Sequence, residues 1–168
     1  MSSLSARLAA SLDTNSIVRK GNGRTERVRA NGSDIFLTAG VTRTGETAAD
    51  PDVDLAAVGE YVDGIIVGTA DTATDLSKDS DSPYADNVWL LMYRPMATDE
   101  VYMTVKGATA VTVYTRQGCD GGFIAPYTYA SGTSIDTDTL AGYCCIAQEA
   151  AAGATITEYV ILTIWSGN

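Results

Sequence analysis

The densest group of side chains able to do chemistry is an acidic stretch, Asp71, Asp75, Asp79, Asp81 and Asp86. Carboxylates at that spacing are ligands for a hard cation such as calcium. Asp75 to Asp86 has the twelve-residue length of an EF-hand loop but lacks its central glycine and its closing glutamate. The stretch therefore reads as a solvated loop that favours solubility, with an irregular calcium site as the alternative. Three cysteines, Cys119, Cys144 and Cys145, are too few for a disulfide scaffold, and no histidine is present to complete a zinc site. Two adjacent cysteines on a strand face opposite sides, so at least one is expected to be a small buried apolar residue. A bridge from Cys119 to either neighbour stays open.

The missing histidine removes Ser-His-Asp and Cys-His catalysis and every histidine general base. Neither a Gly-x-Ser-x-Gly elbow nor a Walker loop occurs. Gly21-Asn-Gly-Arg-Thr-Glu26 starts like a dinucleotide loop but lacks the third glycine and a preceding buried strand. A carboxylate pair of the glycosidase type could hide among the 21 acids, yet only Trp89 and Trp165 are available to stack on sugar. No catalytic residue, cofactor site or metal site is assigned, and the chain is not expected to be an enzyme.

Charge is more informative. The net charge is −10, but residues 1–29 carry six basic against two acidic groups, +4, and the rest carries five against nineteen, −14. This predicts a basic arm on an acidic body. An acidic body repels polyanions, so direct nucleic-acid binding is not expected. No apolar run reaches the roughly 20 residues that span a bilayer, and Met1–Asp13 lacks the apolar core of a secretion signal. No membrane association and synthesis in a host cytoplasm are the expectations.

Several elements must position these groups. Ser3 caps a short predicted helix whose Leu4, Leu8 and Leu12 recur every four residues. Residues 19–33 are polar and glycine-rich and read as an extended linker or a hairpin with Asn-Gly turns. Strands are predicted over 34–38, 61–67, 88–93 and 123–129, a loop over 42–54, and a hairpin of 100–106 with 110–115 about Gly107. The segment Leu140 to Trp165 reads as two strands joined by an Ala-rich elbow, Glu149 to Gly153. Many short strands between Gly, Pro and Asp turns make the chain all-β, a small β-barrel or β-sandwich (β-tulip-like). The predicted division is an N-terminal arm, 1–33, containing the short helix, and a barrel body, 34–168.

That closing segment, with Asp34–Gly40, Val62–Gly68, Val101–Gly107 and Pro126–Gly132, resembles the strands of tailed-virus capsid decoration (cement) proteins in the same order. The resemblance implies a non-enzymatic β-barrel on the outer surface of an icosahedral virion. It implies the major capsid protein as partner, a homotrimer, and clamping of neighbouring shell subunits. The extra arm then supplies the contact candidates Leu4, Arg7, Leu8, Leu12, Arg19, Lys20, Arg24, Arg27 and Arg29. The alternative is a head-fibre, turret or adhesin-type β module that binds host-surface glycans.

Overall fold

In the computed structural model the described residues are 17–45, 51–70, 77–107, 109–126, 143–148, 150–151 and 159–164, with backbone alone at 19, 143–144 and 159–164. They form eleven strands and no helix, so the all-β expectation holds; the predicted helix near Leu4 lies outside the described residues. Five strands close a barrel: β2 (Arg24–Ala30), β4 (Asp52–Leu55), β3 (Gly40–Arg43), β5 (Gly64–Thr69) and β6 (Trp89–Arg94). All neighbours are antiparallel except β2 and β4, where Ala30 lies beside Val53 in parallel. Side chains on a strand alternate between faces. Val28, Ala30, Leu90 and Met92 accordingly fill the barrel, while Arg27, Arg29, Trp89 and Leu91 point the other way.

The second sheet runs β1 (Val18–Lys20), β7 (Asp99–Thr104), β11 (Tyr159–Ile164), β10 (Tyr143–Ala147), β8 (Arg116–Asp120) and β9 (Phe123–Pro126). A parallel bridge between Val105 and Ile124 brings β9 back towards the end of β7. Met103, Val105, Val111, Ile124 and Cys145 belong to a second core cluster, which also takes in Ala56, Ile65 and Tyr93 from the first part of the chain. The predicted pairing at the chain's end is present, with Cys145 opposite Ile164 and Ala147 opposite Leu162.

Several local expectations are corrected. Residues 19–33, predicted as an extended linker or a hairpin, supply the end of β1 and all of β2, which pair with β7 and β6 and not with each other; β2 lies beside β6 over six residue pairs as a barrel strand. The predicted loop 42–54 contains the end of β3 and most of β4. The predicted strand 34–38 is a buried loop. Ile35, Phe36 and Leu37 are all buried, which no strand facing one core can achieve with consecutive residues. Their backbone groups are satisfied across the fold, Leu37 N–H donating to the Lys78 carbonyl at 2.7 Å and Tyr84 N–H to that of Ile35 at 2.8 Å. The hairpin of 100–106 with 110–115 does not form. β7 pairs with β1 and β11, and residues 111–115 make a turn whose Tyr114 has φ 62°.

One carboxylate fastens the two sheets. Asp99 is 1% exposed and accepts four hydrogen bonds: from Asn22 N–H at 2.9 Å, Gly23 N–H at 3.1 Å, Met96 N–H at 2.8 Å and the Tyr93 hydroxyl at 2.6 Å. Gly23 has to be glycine, because a Cβ there would lie 2.7 Å from the Tyr93 ring and collide with the Arg94 carbonyl. Burial works to raise the Asp99 pKa, but the bonds from Tyr93, Met96, Asn22 and Gly23 outweigh it and hold the group below the usual carboxylate range. Burial and the bond to Asp99 push Tyr93 up to about 12.

Both shifts fix a sign. Asp99 titrates lower folded than unfolded, so its contribution is complete above about pH 4 and is lost as pH falls through the folded value. Tyr93 titrates higher folded than unfolded, so its contribution is complete below about pH 10 and is lost as pH rises towards 12. Asp99→Asn is expected to cost about 2–3 kcal/mol at pH 7 by leaving buried donors poorly satisfied. It should also flatten the acid limb of stability measured by urea unfolding from pH 3 to 7. An unchanged acid limb would contradict the assignment. Tyr114 provides a second check, since it is 78% exposed and left-handed. Tyr114→Gly should raise stability by roughly 0.5 kcal/mol, the relief of left-handed strain less the extra chain entropy of glycine. Tyr114→Val should lower it.

Candidate protein interaction surface

Strand β2 gathers three of the contact candidates, and alternation sets where they go. Arg27 and Arg29 lie on the outward face, and Arg24 stands at the strand's start with 71% of its side chain exposed. The cross-strand neighbour of Arg29 is Trp89, and that of Arg27 is Leu91. Arg27 places its guanidinium 5.2 Å from the centre of the Trp89 ring, within cation–π range. Trp89 is 38% exposed, so an indole and two guanidinium groups share one outward face.

Fixed partners hold these long side chains in place. Arg29 donates to both oxygens of Asp52, at 2.6 and 2.8 Å. That planar two-point bond, opposed by burial and helped by the positive charge, holds the Asp52 carboxyl below its ordinary value. Glu26 gathers three arginines: Arg24 at 2.7 Å, Arg94 at 3.7 Å, and Arg43 in close contact. Arg24 and Arg94 sit directly opposite each other on β2 and β6, and Glu26 offsets the repulsion of that like-charged pair. Rim pairs of this kind contribute little stability. Their consequence is orientation: Asp52 holds Arg29 beside Trp89 on the outward face, while Arg24, Glu26 and Arg94 alternate to the other side of the strands at the barrel's end.

The remaining candidates separate. Lys20 is exposed on β1 and pairs in register with Glu100, in the other sheet. Arg19 is also on β1, with its backbone alone described. Leu4, Arg7, Leu8 and Leu12 lie outside the described residues. Trp89 and Leu91 were not among the candidates: in the apolar run Val88–Tyr93 their outward direction shows only once β6 is placed beside β2.

The acidic loop uses its carboxylates locally. Asp79 accepts from the backbone N–H of Asp81 and of Ser82, each at 3.1 Å. Asp86 accepts from Gly32 N–H at 2.8 Å and from the Asn87 amide at 2.7 Å. Asp71 and Asp75 lie outside the described residues, among which no group of three or more Cys, Asp or Glu is arranged to hold a metal ion. Cys119 and Cys145 are both buried, as expected of small apolar residues, and the Cys144 side chain lies outside the described set.

The chemistry this surface can do is recognition. Guanidinium groups pair with carboxylates in two-point geometry, and an indole held beneath one of them offers a flat apolar contact.

No protein-family model and no curated protein matches the chain. Among solved structures it is similar to the N base of head fibre gp8.5 in bacteriophage phi29. The TM-score is 0.49 and the identity 15%, over 84% of this chain and 93% of that one.

Proposed function

We propose that this protein is a structural component of a tailed-virus particle that binds the outer surface of the capsid and stabilises contacts between major capsid subunits. The observation that carries the reading is Arg27 and Arg29 on the outward face of β2, with Arg24 at the strand's start, mounted on a closed barrel in a chain whose other residues sum to −13. A rigid body with one basic face is suited to hold an acidic protein surface, and electrostatic attraction of that kind orients and speeds encounter. The segment-by-segment sequence resemblance to capsid decoration proteins supports the same reading, although its segment at Asp34–Gly40 forms a buried loop up to Ala39. The segment with Leu4, Arg7, Leu8 and Leu12, which precedes β1, adds an apolar and basic contact, and the assembly is a homotrimer. The protein performs no catalysis and takes no cofactor.

One observation favours the head-fibre, turret or adhesin reading instead: Trp89, exposed and backed by Arg27, is the kind of flat platform on which a sugar ring stacks. Cosedimentation of the full-length protein with purified heads separates the two. Capsid binding predicts saturation at a fixed copy number per shell subunit, and glycan binding predicts none. The double variant Arg24→Glu with Arg27→Glu should weaken head binding at least tenfold and make it less sensitive to salt. Its unfolding free energy should stay within about 1 kcal/mol of wild type. Removal of residues 2–16, which leaves β1 and β2 intact, should weaken retention in the same assay. Unchanged binding by the double variant would remove the arginine row from the contact.

A further inference from the structure

The two sheets carry one pattern twice. In β2–β6 the first strand pairs with the fifth, the fifth with the fourth, the fourth with the second and the second with the third, all antiparallel, while the third meets the first in parallel. β7–β11 repeat each of these pairings in the same order and sense, the last through the Val105–Ile124 bridge. The registers also agree. Arg24 opposite Arg94 corresponds to Asp99 opposite Ile164, and Gly40 opposite Ile65 to Arg116 opposite Ile146. Ile66 opposite Met92 corresponds to Ala147 opposite Leu162, and Ala30 beside Val53 to Val105 beside Ile124.

Bonds outside the ladders repeat as well. Asn31 N–H donates to the Val53 carbonyl at 2.9 Å, and Lys106 N–H to that of Ile124 at 2.8 Å. Thr38 N–H donates to Ile66 and Tyr114 N–H to Ala147, both at 2.8 Å. Those two donors are left-handed, at φ 75° and 62°, and each stands two residues before its strand. A slip of one residue in any pair would turn its side chains to the other face. Val41 opposite Leu55 corresponds to Gln117 opposite Pro126, and five matching registers with two matching strained turns are not forced by the β class alone.

We infer that residues 24–94 and 99–164 are tandem copies of one five-stranded unit, and that the outward face of β2 with Trp89 is the docking face for an acidic surface of a partner protein. This rests on reading β2 as the contact strand. The same face of the second unit is already a docking face. Tyr102 and Thr104, equivalent to Arg27 and Arg29, are 5% and 2% exposed because they pack on the first unit. Tyr102 joins the core of Ile17, Phe36 and Leu37, and the Thr104 hydroxyl lies 2.5 Å from that of Thr38. In the first unit this face carries Arg27, Trp89, Leu91 and the Arg29–Asp52 pair, and it is open to solvent at Arg27 and Trp89. Arginine and tryptophan are the residues enriched at the energetic centres of protein interfaces.

The occupant is not a second copy docked in the same way. The surface that receives the second unit takes Thr104 at Thr38, and nearby Gly40 is covered by the second unit's other face, where a Cβ would collide with the Cys119 sulfur and come within 3.3 Å of the Met103 methyl. The equivalent position in the second unit is Arg116, which is exposed. A copy docked head to tail would bring Arg29, the counterpart of Thr104, against Tyr114, the counterpart of Thr38, setting a guanidinium and an exposed ring where two small hydroxyls now meet. A partner bearing carboxylates is the complementary surface.

The test uses the full-length protein and purified heads. Trp89→Ala is expected to weaken binding at least tenfold, while Tyr114→Ala, on the corresponding receiving surface of the second unit, stays within twofold of wild type. Sedimentation equilibrium should give the same mass for wild type and Trp89→Ala. Circular dichroism confirms that each variant is folded, and Arg27→Gln, which leaves the core untouched, should reproduce the loss. Wild-type binding that survives Trp89→Ala and Arg27→Gln overturns the docking face alone. A fall in self-associated mass on Trp89→Ala gives the face to a second copy and overturns the choice of occupant. Absence of wild-type binding overturns the capsid reading and this inference together.

Discussion

The fold depends on the buried carboxylate of Asp99. Only Pro95 to Thr98 separate β6 from β7, so the last strand of one unit and the first of the next leave the same point. Asp99 ties that point to the turn between β1 and β2 through Asn22 and Gly23, and to β6 through the Tyr93 hydroxyl. A buried charge with no compensating bonds is strongly unfavourable. With four donors aimed at it, Asp99 becomes a junction that only one arrangement of the three segments satisfies. β1 reinforces it from the second sheet, with Val18 opposite Val101, while Ile17 reaches into the core of the first.

What the sequence reveals depends on where polarity and period coincide. Ile65–Val67, Leu90–Tyr93 and the Cys145–Ile164 pairing are apolar or β-branched in their own right, and they read as strands. β2 does not, because five of its seven residues are polar or charged and glycines precede it. Only Val28 and Ala30 face the core, too few inward positions to establish a period of two. The opposite error occurs at Ile35–Leu37, whose apolar run looks like a strand although its backbone bonds go to Lys78, Ala39 and Tyr84. A short apolar run states that a segment is buried and leaves its conformation open.

The contact surface was half legible for the same reason. Charge asymmetry points to the arginines, which follow from composition alone. Trp89 needs the register of β2 against β6, a long-range fact that no local pattern contains. The internal repeat is hidden more completely. Equivalent core positions hold Val28 and Met103, Ile66 and Ala147, and even Val41 and the buried Gln117. Cores accept such exchanges provided volume and inward pattern are kept. What the halves share is pairing order, register and a left-handed turn, and each of these restricts the backbone more than the identity of any side chain.

The differences between the halves are not spread at random. On the receiving surface Gly40 has become Arg116 and Thr38 has become Tyr114; on the docking face Tyr102 and Thr104 stand where the first unit has Arg27 and Arg29. Where unit meets unit the residues are small or uncharged, as in the Thr38–Thr104 contact and the stack of Phe36 on Phe123, whose ring centres lie 4.5 Å apart. At both outer ends the equivalent positions carry arginine or an exposed ring. A repeated unit that kept the apolar docking and receiving faces at its ends would join copies in an open head-to-tail chain. Arginine and an exposed ring at the outer ends remove that apolar match, and they leave β2 a face that an acidic surface fits better than a further copy of the unit.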